Sequence, residues 1–147
     1  YYQLAFNLMM GMTVFLIVSY VYPNAQHLRP TEFPRDNIFT SAVKWLYSTD
    51  TPTNILPSIH VFNSLAIHMS LTNCEVLRDK KLVKAASLTL TSLIIMSTMF
   101  LKQHSVIDVC MGATLALFGF VVFYPRKVTE SSRADYFINA EKKKSEN

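Results

Sequence analysis

Ser97-Thr98-Met99-Phe100-Leu101-Lys102-Gln103-His104-Ser105-Val106-Ile107-Asp108 is the stretch whose reading decides the fold, because it sets three ionisable groups between two long apolar runs. Charge between membrane-length apolar segments is costly and is kept for a function or a partner. With the second run helical from about Ser105, His104 and Asp108 lie four residues apart on one helical face. The carboxylate can then accept a hydrogen bond from one imidazole nitrogen, which leaves the other free to react. A carboxylate that fixes a histidine's tautomer and stabilises its charged form is the supporting half of many nucleophilic and general-base sites.

Outward from this stretch, the chain reads as an all-α integral membrane helical bundle. Half of its 147 residues are hydrophobic, only 3 are glycine, and the mean hydropathy is +0.22. A bilayer core of about 30 Å needs about 20 residues of helix. Four segments are candidates: Gln3 to Val21, Leu56 to Leu71, Leu82 to Leu101 and Val106 to Tyr124. The second is the shortest and carries His60, Asn63 and His68, so it crosses only if those side chains face protein or water. None of the segments alternates as a strand would, so four transmembrane helices are expected. Residues 1–128 form the expected membrane-embedded domain, and 129–147 a polar cytoplasmic tail whose Lys142 to Lys144 can touch anionic lipid. Cys74 and Cys110 form no C-x-x-C pair, and neither a disulfide nor a structural metal is expected. The chain opens at Tyr1, is apolar by Leu4, and lacks the basic start and cleavage site of a signal peptide, so it reads as a piece of something longer.

Charge sets the orientation, because short cytoplasmic loops collect Lys and Arg. Ten of the 14 cations lie on one side: Arg78, Lys80, Lys81 and Lys84 in one loop, and Arg126, Lys127, Arg133, Lys142, Lys143 and Lys144 in the tail. That side is assigned to the cytoplasm. The long loop Tyr22 to Ile55 and the turn Lys102 to Ser105 then face outward, where Arg29, His60 and His104 converge. Within the long loop, Ile38, Phe39, Ala42, Val43 and Leu46 recur at helical spacing behind Asp36 and Asn37, which can cap a helix. Asn37 to Ser48 is therefore expected to be amphipathic, lying on the membrane or packed on the bundle.

Pro57-Ser58-Ile59-His60 marks the outer start of the second segment. Pro suits a first turn, Ser suits a cap, and the N–H groups of a helix start attract anions. Arg29 adds a planar fork that can grip two oxygens, and Lys102 adds a point charge, so the expected guest is a phosphoryl group bound by Arg29, Ser58 and Lys102. In phosphoryl transfer His104 would attack phosphorus with Asp108 in support, and His60 would protonate the leaving oxygen. Water would then attack the phosphohistidine.

These residues resemble the type-2 phosphatidic acid phosphatase superfamily of lipid phosphate phosphatases and related transferases. Three of its motifs fall in order on this chain. The first, Lys, six residues, then Arg-Pro, is similar at Arg29-Pro30 but has Tyr22 at the Lys position. Pro-Ser-Gly-His appears as Pro57-Ser58-Ile59-His60. Ser-Arg, five residues, His, three residues, Asp, is matched by Ser97, His104 and Asp108, with Thr98 in place of Arg. The Lys102-Gln103-His104 form looks like the branch that includes sphingolipid-type phosphotransferases. The resemblance covers Tyr22 to Gly112 and implies six membrane helices in the full-length protein, of which this chain holds the C-terminal part. It also implies a reaction without cofactor or metal, with His104 as nucleophile, His60 as acid and Asp108 as its orienting partner.

Competing readings follow from the same residues. His60, His104 and Asp108 are also zinc ligands by type, although Arg29 and Lys102 would repel a cation. His104 and Asp108 could instead be an intramembrane polar pair, and His68 reads as an interhelical hydrogen-bonder. The expected function is hydrolysis of a phosphomonoester or pyrophosphate on a phospholipid or prenyl phosphate. The alternative is transfer of a phosphoryl-headgroup to a lipid alcohol, and the third reading is a non-catalytic lipid-binding or scaffold protein. The expected partner beyond the substrate is the bilayer, with no nucleic acid, and the expected location is the cell membrane with the site toward the outer face.

Overall fold

Every long element in the computed structural model, which describes residues 1–30 and 32–124, is helical. Five α-helices follow one another: α1 (Tyr2–Val21), α2 (Ile38–Thr49), α3 (Ile59–Thr72), α4 (Lys81–Phe100) and α5 (Val106–Phe123). A 3-10 turn, Glu75–Leu77, joins α3 to α4. Among the described residues three helices, α1, α4 and α5, are long and apolar enough to cross a membrane, so the expected count of four is not met. The part of the domain beyond Tyr124 and the polar tail 129–147 lie outside the described residues.

The difference concerns α3. Expected over Leu56 to Leu71, it begins only at Ile59, since Ser58 caps it and Pro57 stands ahead of the cap rather than in the first turn. Its 14 residues rise about 21 Å, well short of a bilayer core. The same helix is the most enclosed in the bundle. Val61, Phe62 and Ala66 are fully buried, and α3 packs against α1, α4 and α5, while α1 also packs against α5. Its polar residues therefore meet protein. Thr91 of α4 donates to the Ser64 carbonyl at 3.3 Å, and His68 Nδ1 lies 3.0 Å from Ser87 Oγ. Hydroxyl and imidazole bonds of this kind hold helices together where lipid offers no hydrophobic drive between them. The outer surfaces of α1, α4 and α5 are the reverse, with Leu16, Leu93, Phe118 and Val121 all exposed as a lipid-facing surface requires.

Glycine sets how closely α5 approaches α3. A Cβ on Gly112 would stand 2.6 Å from the Ser58 carbonyl oxygen. With no side chain there, the Ser58 amide reaches the Asp108 carbonyl at 3.2 Å. That bond fixes the start of α3 against the start of α5. Because a short connection makes α3 and α4 antiparallel neighbours, the turn after α4 comes to the same end of the bundle, opposite the basic loop.

α2 forms one residue later than its expected range, Asn37 to Ser48. The Asn37 side chain accepts from the Thr40 amide at 2.8 Å as its cap. No residue of α2 is buried, and Ile38, Phe39 and Trp45 project outward. Its other side is tied to the bundle, where the Tyr47 hydroxyl donates to the Leu101 carbonyl at 2.7 Å.

Candidate functional site

Residues 101–105 form a tight turn, and the Thr98 carbonyl organises it by accepting from the amides of Gln103 at 3.0 Å and His104 at 3.2 Å. Lys102 takes a left-handed conformation, φ 49°, within it. Gln26, from the loop after α1, donates through Nε2 to the Lys102 carbonyl at 3.1 Å and to the Gln103 carbonyl. The turn is thereby held from two sides, and its side chains are presented in fixed directions.

His104 and Asp108 do meet, but not as two residues on one helix face. His104 precedes the α5 cap, Ser105. A capping box joins the two ends of this first turn: the Ser105 amide donates to Asp108 Oδ2 at 2.7 Å, and the Asp108 amide to Ser105 Oγ at 3.4 Å. The same Oδ2 lies 3.8 Å from His104 Nδ1. That is a charge contact rather than a hydrogen bond, and Nδ1 has no hydrogen-bond partner although it is buried. Asp108 thus has two tasks, capping α5 and facing the imidazole. Burial holds the His104 pKa below the ordinary histidine value, and the His60 charge pushes the same way. Asp108, then Asp50, then the Ile55 backbone oppose them.

His60 sits in the first turn of α3 with its ring 5.8 Å from the His104 ring, edge to face. Both histidines line one cavity of about 250 Å³, together with Asp50, Gln103, Asn54 and Ser19. Ser19 Oγ is buried there without a hydrogen-bond partner. The cavity opens at the end of the bundle away from the basic loop, between the start of α3, the end of α1 and the turn after α4.

The remaining expected site residues are placed differently. Ser58 is fully buried, its hydroxyl accepts from the Val61 amide at 3.5 Å, and it does not line the cavity. Lys102 is exposed and likewise outside the lining. Arg29 is drawn to the site's edge by a partner not foreseen from the sequence. Its Nη2 donates to Asp50 Oδ2 at 2.7 Å, its Nη1 donates to the Tyr47 carbonyl at 3.4 Å and to the Asp50 carbonyl, and its guanidinium lies over the Tyr47 ring at 4.7 Å. Gln103 Nε2 donates to the same Asp50 oxygen at 3.1 Å. Asp50 and Gln103 are therefore additional polar residues of the cavity. Gln103 stood between two residues already singled out, whereas Asp50 carried no local signal beyond being the one carboxylate in a Thr- and Pro-rich turn. No group of three or more His, Cys, Asp or Glu side chains among the described residues is arranged to hold a metal ion.

In chemical terms, two imidazoles share a cavity, one backed by a carboxylate, with an arginine nearby. A model of the PAP2 superfamily matches residues 4–131 of the chain. In the same comparisons, no curated protein and no solved structure matches it.

Proposed function

The chain belongs to the PAP2 superfamily, whose members are phosphatases or related phosphotransferases, and from that premise we propose that it is a membrane lipid phosphatase working through a phosphohistidine at His104. The observation that carries the reading is the pair of imidazoles 5.8 Å apart on one cavity wall, with Asp108 behind only one of them. Asp108 faces Nδ1 of His104, so Nε2 is the nitrogen left to attack. In the first step the Nε2–P bond forms and the P–O bond to the lipid breaks, and His60 gives its proton to the departing oxygen. In the second, water attacks phosphorus, its proton passes to His60, and the Nε2–P bond breaks. Asp108 stabilises the cationic imidazole between the two steps. Arg29 braces the cavity's edge through its pair with Asp50. No step needs a metal.

The three apolar helices make this a multi-pass membrane protein. The cavity lies at the end of the bundle opposite Arg78, Lys80 and Lys81, which supports an outward-facing site in the cell membrane. The exposed Ile38, Phe39 and Trp45 of α2 support its lying along that outer surface. A second reading, transfer of a phosphoryl-headgroup to a lipid alcohol in place of water, is favoured by the Arg29–Asp50 pair, which lowers the site's positive charge.

The test is phosphate release from phosphatidic acid and from a prenyl pyrophosphate by the protein in detergent with EDTA present. Release is expected to survive EDTA and to fall by on the order of 10⁴-fold or more in His104→Ala. Product that forms only when a lipid alcohol is added would move the protein to the transferase reading. Silence with every substrate would leave the scaffold reading.

A further inference from the structure

We propose that Asp50 is a specificity-determining residue that sets the cavity to accept a singly charged phosphoryl group in preference to a doubly charged one. The inference rests on the phosphoryl-transfer reading above and narrows its substrate class. Its basis is the charge of the cavity wall. The wall carries the Asp50 side chain and two histidines, and among the described residues no Lys or Arg lines it. The nearest arginine is already engaged: Arg29 is nearly buried, and its guanidinium holds one Asp50 carboxylate oxygen at 2.7 Å and two backbone carbonyls. Gln103 fixes that carboxylate oxygen from the cavity side at 3.1 Å. Asp50 therefore offsets the one arginine charge at the site and leaves a carboxylate, with no free guanidinium, on the wall of the cavity.

A phosphomonoester well above its second ionisation, near pH 6, brings two negative charges into this wall, and a phosphodiester brings one. Protonated His60 offsets the first charge, whereas the second meets a carboxylate with no further unpaired cation on the wall, and like charges at short range are disfavoured even at a carboxylate left 45% exposed. The singly charged group can come from two sources, a lipid phosphodiester or a monoester protonated once. In either case Nε2 of His104 displaces the same leaving group, diacylglycerol, and the phosphoryl group with whatever headgroup it bears stays on the histidine until water or an alcohol removes it.

Diacylglycerol release by the detergent-solubilised protein is measured at pH 8 from phosphatidic acid and from phosphatidylcholine, for the wild type, Asp50→Asn and Asp50→Glu. Asparagine keeps an oxygen for Arg29 and Gln103 and removes only the charge. It is expected to lower KM for phosphatidic acid about tenfold, the size of one charge-assisted contact, and to change KM for phosphatidylcholine less than about twofold. Glutamate is expected to retain the wild-type preference. The two sources are separated by pH, because a protonated monoester would bring wild-type phosphatidic acid turnover up as pH falls toward 6 while phosphatidylcholine turnover would not follow. Equal changes for both lipids in Asp50→Asn would overturn the assignment while leaving the phosphatase reading standing. No release from either lipid by any of the three proteins, but with phosphate released from a prenyl pyrophosphate, would overturn it as well. Silence with all substrates would remove both readings.

Discussion

His60 and His68 stand on the same helix, about two turns apart, and the structure treats them in opposite ways. His60 is exposed to the cavity and pairs with a second histidine from another element. His68 is half-buried against α4 and is satisfied by a single hydroxyl, Ser87 Oγ at 3.0 Å. Residue type and helix are shared, so the difference comes from what the neighbouring elements bring. At the cavity end three chain segments converge: the loop after α1, the turn before α3 and the turn after α4. Toward the other end only helix surfaces meet. A histidine held by one hydroxyl can tie two helices together, whereas two histidines side by side on a cavity wall can both be presented to a guest in that cavity. The short α3 belongs to the same contrast, since beginning at Ile59 it leaves its outer end to loops and polar side chains that a membrane-length helix would have replaced with apolar ones.

The sharpest way to break this contrast is at its outer member. His60→Ala is expected to lower kcat for lipid phosphate turnover by about 10³-fold, within the usual range for a positioned acid–base group, with little change in the thermal midpoint. A loss of stability without loss of turnover would put His60 in the same class as His68. Next in size is Asp108→Asn, expected to cost roughly 10²-fold, since the carboxylate that stabilises the cationic His104 is gone while the asparagine can still cap α5. Its sign in pH is also determined. In the proposed mechanism His104 must be neutral to attack, and burial and His60 already hold its pKa below the ordinary histidine value, whereas Asp108 raises it. Removing that charge lowers the pKa further, so the acid limb of kcat/KM moves to lower pH. An acid limb that moves up, or does not move, would mean that Asp108 serves only as a helix cap.

That His60, His104 and Asp108 would lie together was legible in the sequence, because each is a polar residue at the edge of an apolar run and such residues need a reason. What was not legible was how they meet. Spacing places His104 and Asp108 on one helix face, but α5 starts after its cap, Ser105, so His104 lies in the turn before the helix, and the capping box holds the Asp108 carboxylate back toward that turn, 3.8 Å from the imidazole. Ser58 was read both as the cap of the helix and, with Lys102, as a group near a phosphate. In the fold the first is consumed as a buried cap and the second serves through its backbone at a left-handed turn position. Asp50 was overlooked because its importance lies in tertiary contacts, to Arg29 from 21 residues away and Gln103 from 53. The span count failed for a related reason. Hydropathy measures how apolar a segment is, and Leu56 to Leu71 is apolar because it is packed among other helices as well as because it lies near lipid.

The inner member of the pair gives the smallest effect and the cleanest control. His68→Ala removes the bond to Ser87 and leaves that hydroxyl, inside a helix interface, to find its own backbone. Bonds of this kind between membrane helices are worth about 0.6 kcal/mol on average and at most about 2, so a lowering of the thermal midpoint by a few degrees is expected. Turnover per folded molecule should stay within about twofold of wild type, since the next polar layer toward the cavity, Ser64 with Thr91, is bonded through backbone and is untouched by the change. If His68→Ala instead reduced kcat as strongly as His60→Ala, with the fold intact, the two ends of α3 would be one coupled polar path, and the proposed division between a catalytic cavity end and a structural far end would have to be given up.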